Sequence, residues 1–264
     1  MVGMSLSVSA VAAASSAWVW IPDDATVVET SEYTILRPPD YFDYPLAVMQ
    51  FRPTGPLGEA VDRVLERSRS FGVPEVRWQA RFDDPDELAG ELTSRGATVL
   101  LVLDVLAGDL EGGGPVLPSP AVDVTVRWAT DFETARDGAA VGITGFGGAL
   151  PPDERIEENA ARDAATVPAG VGGRVVAYVD GRPAGSGGVT IVDGVARLWG
   201  GAVVPSARGQ GVYRAVLAAR LSYAVAHGAT IALVKGKADT SGPILRKAGF
   251  LAFGQEPIYS VPLG

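Results

Sequence analysis

The sequence predicts an α+β fold (mixed α/β): a mixed, mostly antiparallel sheet flanked by helices, with part of the plan present twice. Three observations lead there. Residues 122–261 alternate between strand-like and helix-like periodicity in the order β-α-α-β-β-β-α-β-α-β. The Asp-Gly pairs at 180–181 and 193–194 are tight-turn signals that join successive strands as hairpins. The residues before 111 repeat part of that order.

The elements follow in turn. The small apolar stretch 4–17 reads as a first helix packed on the fold. No Lys or Arg precedes it and Trp18, Trp20 and Asp23 follow at once, so it lacks the basic start of a signal peptide. Residues 47–51 form a strand that runs into Pro53, and 57–71 form a helix closed by Gly72. A helix end at 92–96 and a strand at 103–110 complete the first half. Residues 111–120 carry Gly or Pro at nearly every position and read as a linker. The expected domains are therefore 1–110 and 121–264.

In the second domain 122–128 alternates like a strand, and 131–141 and 153–165 look helical with acidic starts. Strands follow at 174–179, 182–191 and 195–204. The helix 212–227, apolar but for Arg214 and Arg220, is expected to be well buried. A strand at 230–234, a helix at 241–248 ended by Gly249, and a strand at 258–261 close the chain. Gly96 and Gly249 are 153 positions apart, and so are Leu110 and Leu263, which makes an internal duplication the better reading. The copies differ in one place. Pro53 to Gly72 spans 19 positions where Pro205 to Gly228 spans 23, so the first copy lacks about four residues at the place of Arg208 to Gly211.

Composition narrows the function. A net charge of −9 argues against a nucleic-acid partner and suits a cationic acceptor better. With no cysteine there is no disulfide and no thiolate site. The single histidine, His227, precedes Gly228 and reads as a helix end with its cap, so neither a His-rich zinc site nor a Ser-His-Asp triad is expected. No metal is expected. No other run approaches a membrane span, and a soluble cytoplasmic protein is the expectation.

The chemistry concentrates at 203–214. A β-branched strand ends at Pro205, and a glycine-containing loop then opens the apolar helix at Gly211. Unpaired N–H groups at a helix start, reinforced by the helix dipole, bind phosphate or pyrophosphate. Arg208 adds a charged donor fork. A dinucleotide site would need a third glycine where Arg214 stands. Gly-Lys-Ser/Thr, which a Walker loop needs, occurs nowhere. Ser186 is not a nucleophile elbow, because Ala184 replaces the first glycine.

Arg208, Gly209, Gln210 and Gly211 match the motif of the GNAT superfamily of acyl-CoA-dependent N-acyltransferases, Arg or Gln, two residues, Gly, one residue, Gly or Ala, except that Tyr213 stands at the final Gly or Ala. Gly249-Phe250 resembles the Gly-Phe that closes the family's last helix. The chain thus resembles that superfamily over 122–263, and more weakly before 111 as a degenerate second copy without the phosphate loop. The resemblance implies acetyl-CoA, or another acyl-CoA, as cosubstrate and transfer to a small-molecule or peptide amine, with no nucleic acid and no membrane; a homodimer stays open. It implies a splayed sheet in which strand 195–204 parts from 230–234. Backbone groups near Ala202 and Val203 would then hold the pantetheine arm and the thioester carbonyl. Arg208, Gly209, Gln210, Gly211, Val212 and Tyr213 would hold the pyrophosphate, and Gly211→Val would obstruct it without disturbing the fold.

The proton donor is less well marked. Where many relatives have a tyrosine this chain has Leu245, so Ser241 is the candidate catalytic residue, although Thr240 and Ser241 also suit a helix cap. Tyr213 and Tyr259 are outside candidates, and Glu154, Glu157 and Glu158 read better as a solvated face than as the base. The rival reading is a non-catalytic acyl-CoA-binding or scaffolding protein. The first copy is expected to bind no CoA and to complete the fold or wall the acceptor site. Trp18, Trp20 and Trp78 suggest a sizeable apolar contact between the halves.

Overall fold

The computed structural model describes residues 6–264; the start of the expected first helix, at Met4 and Ser5, lies outside them. In chain order the first elements are α1 (Val8–Ser16), β1 (Thr26–Glu29), β2 (Tyr33–Arg37), β3 (Ala47–Phe51), α2 (Leu57–Arg69), β4 (Glu75–Gln79), α3 (Leu88–Ser94) and β5 (Thr98–Asp109). After the linker come β6 (Thr125–Trp128), α4 (Phe132–Phe146), α5 (Asp153–Thr166), β7 (Gly172–Val179), β8 (Arg182–Val192) and β9 (Val195–Val203). A single 3-10 turn (Pro205–Ala207) leads to α6 (Val212–Ala226), β10 (Ile231–Lys237), α7 (Ser241–Lys247) and β11 (Leu251–Pro262).

Two compact units result, and they are not the linear halves 1–110 and 121–264. The first comprises 12–105, 236–243 and 252–264; the second is built on 106–235 and 244–251. The reason lies in β11. It pairs antiparallel with β4 from Ile258↔Gln79 to Pro262↔Glu75, and it directs Tyr259, Val261 and Leu263 into the core around Trp78. The last strand of the second copy therefore belongs to the first unit.

Within the first unit the strand order is β1-β2-β3-β4-β11-β5, and within the second β5-β10-β9-β8-β7-β6. The pairings β1–β2 and β2–β3 are antiparallel and β3–β4 is parallel. The same succession recurs in β7–β8, β8–β9 and β9–β10. Both third strands carry one extra residue against their neighbour, β3 between Val48 and Gln50 and β9 between Trp199 and Ala202. A bulge at the matching position in both units extends the repeat beyond what short motifs indicated.

Packing explains the glycine-rich strand β8. A Cβ at Gly185 would meet Val212 at 2.7 Å and one at Gly187 would meet Arg220 at 3.0 Å, so these positions admit α6 close to the sheet. Ser186 lies on the opposite face, beneath α4, where a Cβ at Gly138 would be 3.4 Å from its hydroxyl oxygen. As expected, α6 buries Val212, Val216, Leu217, Leu221 and Ala224. Trp78 lies in its own unit's core, edge-on to Phe51, and Trp20 is 54% exposed. Trp78 thus meets Tyr259, Val261 and Leu263 of the second linear half within one unit's core, as expected, whereas exposed Trp20 does not contribute to that contact.

Candidate active site

The site starts where β9 leaves β10. Their parallel pairing runs from Ile231↔Val195 to Val234↔Leu198 and stops, so from Trp199 onward β9 has no partner on that side. Gly200, at φ +60°, turns the bulge, a conformation that glycine adopts without a Cβ penalty. On the α6 side, the buried guanidinium of Arg220 braces this bulge. Its Nη1 faces the carbonyls of Gly188 and Trp199 at 3.4 and 3.5 Å, and its Nε donates to the Val216 carbonyl at 3.2 Å. Burial pushes the Arg220 pKa down, and its Nη2 has no hydrogen-bond partner among the described residues.

Beyond the bulge lie Ala202, buried against α4, and Val203. The 3-10 turn follows, and then the loop. Arg208 is exposed and donates from Nε to the Val203 carbonyl at 3.3 Å, while Gln210 Nε2 donates to the Ser206 carbonyl at 3.0 Å. Gly209 and Gly211 have φ of +78° and +88°. The first α6 amide with a backbone acceptor just outside the helix is Ala215, bonded to Gly211 at 3.2 Å; the N–H groups of Val212, Tyr213 and Arg214 find no acceptor among the described residues. Open amides at a helix start, exposed Arg208 and a side-chain-free Gly209 fit a pyrophosphate.

The structure corrects one expectation here. A Cβ on Gly211 would lie 2.8 Å from Cα of Pro120, so the position is not open to solvent. The end of the linker runs along the loop: the Ala121 amide donates to the Gln210 carbonyl at 3.0 Å, and Arg214 Nη2 reaches the Ser119 carbonyl at 3.4 Å. Gly211 is needed by the fold itself as well as by any ligand.

The other candidates separate. Tyr213 lies over Gly201 of β9, whose Cβ would be 3.5 Å from its hydroxyl, so it stands beside the unpaired stretch. Ser241 opens α7 but falls in the first unit, whereas the loop is in the second. Leu245 is fully buried in the second unit's core and Tyr259 is 5% exposed in the first unit's core; burial raises the Tyr259 pKa. Glu154, Glu157 and Glu158 are exposed on α5, and Glu158 pairs with Arg155 at 2.8 Å, which is a solvated face. His227 accepts the cap role: Nδ1 lies 2.8 Å from the Tyr223 carbonyl and Gly228 follows at φ +79°.

Two residues escaped the sequence reading, Arg174 in β7 and Trp199 in β9. Arg174 Nη1 donates to the Gly138 carbonyl at 3.3 Å and Ser186 Oγ at 3.4 Å, and its guanidinium lies 5.1 Å from the Trp199 ring centroid. The available signal was a cation inside an otherwise apolar strand.

Comparison with known proteins agrees with this geometry. Residues 140–250 match the acetyltransferase (GNAT) family. The fold is similar to a GCN5-related N-acetyltransferase from Kribbella flavida, with a TM-score of 0.66 at 18% identity over 99% of this chain and 97% of that one. It is also similar to a GCN5-related N-acetyltransferase from Sphaerobacter thermophilus, with a TM-score of 0.66, 17% identity, and 88% and 81% of the two chains covered. A tandem GNAT protein from the clavulanic acid biosynthesis pathway matches with a TM-score of 0.59 at 15% identity, over 96% and 88% of the chains. No curated protein matches. At these identities the structural likeness is one of fold.

Proposed function

We propose, for a chain whose residues 140–250 are of the acetyltransferase (GNAT) family and whose fold is that of GNAT proteins, that it moves an acetyl or other acyl group from acyl-CoA to an amine by direct attack in a ternary complex. The observation that carries this is the unpaired stretch of β9 running into a loop whose α6 amides, Val212, Tyr213 and Arg214, have no acceptor among the described residues. These amides and Arg208 hold the pyrophosphate of the cosubstrate. Backbone donors at Ala202 and Val203 polarise the thioester carbonyl, where charge develops as the amine attacks. The C–N bond forms, the C–S bond breaks, the amine loses one proton and the thiolate takes one up. A water gives the thiolate its proton, and a second water relays the amine proton outward. Much of the rate comes from positioning. Acceptor, acyl length, cytoplasmic location and assembly state belong to this proposal; among the described residues, no helix is long and apolar enough to cross a membrane.

A second reading has one observation in its favour. Leu245, where many relatives place a tyrosine, is 0% exposed in the core, which suits a protein that binds acyl-CoA without turning it over. Thiol release from acetyl-CoA with a panel of amines, beside calorimetry with CoA, separates the two. Turnover with at least one amine of the panel is expected, together with CoA binding. Tight CoA binding without release on a broad panel would favour the binder.

A further inference from the structure

The sheet face beneath α4 holds a guanidinium that acyl-CoA binding does not use. Arg174 lies opposite Gly188 of β8. Trp199 occupies the room a side chain at 188 would take, since a Cβ there would fall 2.1 Å from the indole, and its Nε1 donates to Thr190 Oγ1 at 3.0 Å. The indole is therefore fixed in place, with Arg174 beside it. Trp199 is the first residue of β9 beyond its pairing with β10, and about 10 Å of strand separates it from Ala202.

Arg174 lacks the partner such a side chain needs. Its two bonds, to the Gly138 carbonyl and Ser186 Oγ, are long and both use Nη1, and Nε and Nη2 bond no described residue. Asp163, whose charge acts on Arg174, turns its Oδ2 to the Arg174 backbone N–H at 2.8 Å and forms no ion pair with the guanidinium. Burial pushes the Arg174 pKa down, yet an arginine stays charged. A partly buried cation without a carboxylate is a standing cost to the fold. The α4 glycines let the helix lie close on the stem of Arg174, where a Cβ at Gly138 would come 2.7 Å from Cδ, while a Cβ at Gly142 would make only ordinary contact with Nη1, at 3.8 Å.

We propose that Arg174 is the specificity-determining residue of the acceptor site, and that the acceptor is an amine bearing a carboxylate. The carboxylate pairs with the guanidinium against Trp199, and the amine points along β9 toward the bulge at Gly200. This rests on the acyltransferase reading for the role of the amine, and not for the carboxylate contact itself. A chain of net charge −9 needs such a local cation to hold an anionic substrate.

The test uses the full chain and two probes that differ only in the carboxylate, N-acetylglycine and N-methylacetamide, with binding followed by calorimetry. N-acetylglycine is expected to bind at least about 10-fold tighter than N-methylacetamide. Arg174→Gln should weaken it by about 10- to 150-fold, the range for one charge-assisted hydrogen bond. Arg174→Lys, which keeps the charge, should retain part of the preference and guards against a glutamine variant that fails to fold. CoA affinity should not change in either variant. Equal binding of the two probes to the wild type, or a preference that survives Arg174→Gln, overturns the proposal. Loss of CoA binding in the wild type would instead overturn the acyltransferase reading, and the carboxylate preference would stand.

Discussion

The loops entering α2 and α6 share a structural plan and differ in chemistry. Each follows a bulged strand that leaves a parallel neighbour early, β3 after Val48↔Trp78 and β9 after Leu198↔Val234. In the first unit the loop is short, and its anion is already supplied. The Glu32 carboxylate, from the β1–β2 turn, accepts from the Thr54 amide at 2.9 Å and from the Thr54 hydroxyl, and Arg63 closes on it at 2.8 and 3.1 Å. That network, led by Arg63, holds the Glu32 pKa down at about 2. In the second unit no described side chain takes that place, and the amides of α6 stay open. The difference teaches that the loop shorter by four residues is not a defect. An internal carboxylate and arginine fill the loop before α2, at Thr54, although the first amides of α2 itself, Leu57, Gly58 and Glu59, have no described acceptor either.

Breaking the open loop should have the largest effect. Gly211→Val forces a β-branched residue to φ +88° against Pro120, at a cost of roughly 1–2 kcal/mol for the left-handed conformation alone. Melting is expected to fall by about 2–8 °C, with CoA binding lost in calorimetry; wild-type values for both would mean that Pro120 moves freely and that no pyrophosphate lies there. Arg208→Ala comes next. It should keep the wild-type melting temperature and lose about 10- to 150-fold in CoA affinity, and an unchanged Kd would remove Arg208 from the site.

The closed loop should respond to acid instead. Because the folded Glu32 pKa of about 2 lies below its ordinary 4.5, its stabilisation is complete above pH 4.5 and is lost as pH falls toward 2. Glu32→Gln should therefore melt lower than the wild type at pH 7, and the gap should close through that acid window. A gap independent of pH would point to packing rather than charge. The smallest effect belongs to Arg63→Ala, which should leave CoA affinity within about 2-fold and the stoichiometry at one CoA per chain. Two sites in a titration would contradict the contrast between the loops.

The second copy was legible because its signals are local. Asp180 and Asp193 in fact adopt φ of 49° and 50° at the two Asp-Gly turns, and Gly211 caps α6 in the left-handed region. In the first copy β1, β2 and β4 went unread. They are strands of four or five residues; β1 is mostly exposed, β2 buries three residues in a row, and the alternation of β4, with Val76 and Trp78 inward, is too short to stand out. The exchange of β11 could not be read, since nothing in the order of elements says which free edge a last strand will choose. The site divides in the same way. The phosphate loop is a contiguous word, whereas Arg174, Ser186 and Trp199 meet only through the register of three strands.

That exchange bears on how the protein is made. Ser260 bonds the Glu75 carboxylate 185 positions earlier, and Tyr259, Val261 and Leu263 fill the core that 12–105 begins. On a ribosome the first unit thus waits, with the edge of β4 unpaired, until residues 252–264 have emerged. Its assembly is a late, non-local closure, slow by the rule that links sequence separation to rate. For that interval the nascent chain exposes an apolar strand edge of the kind that chaperones shield.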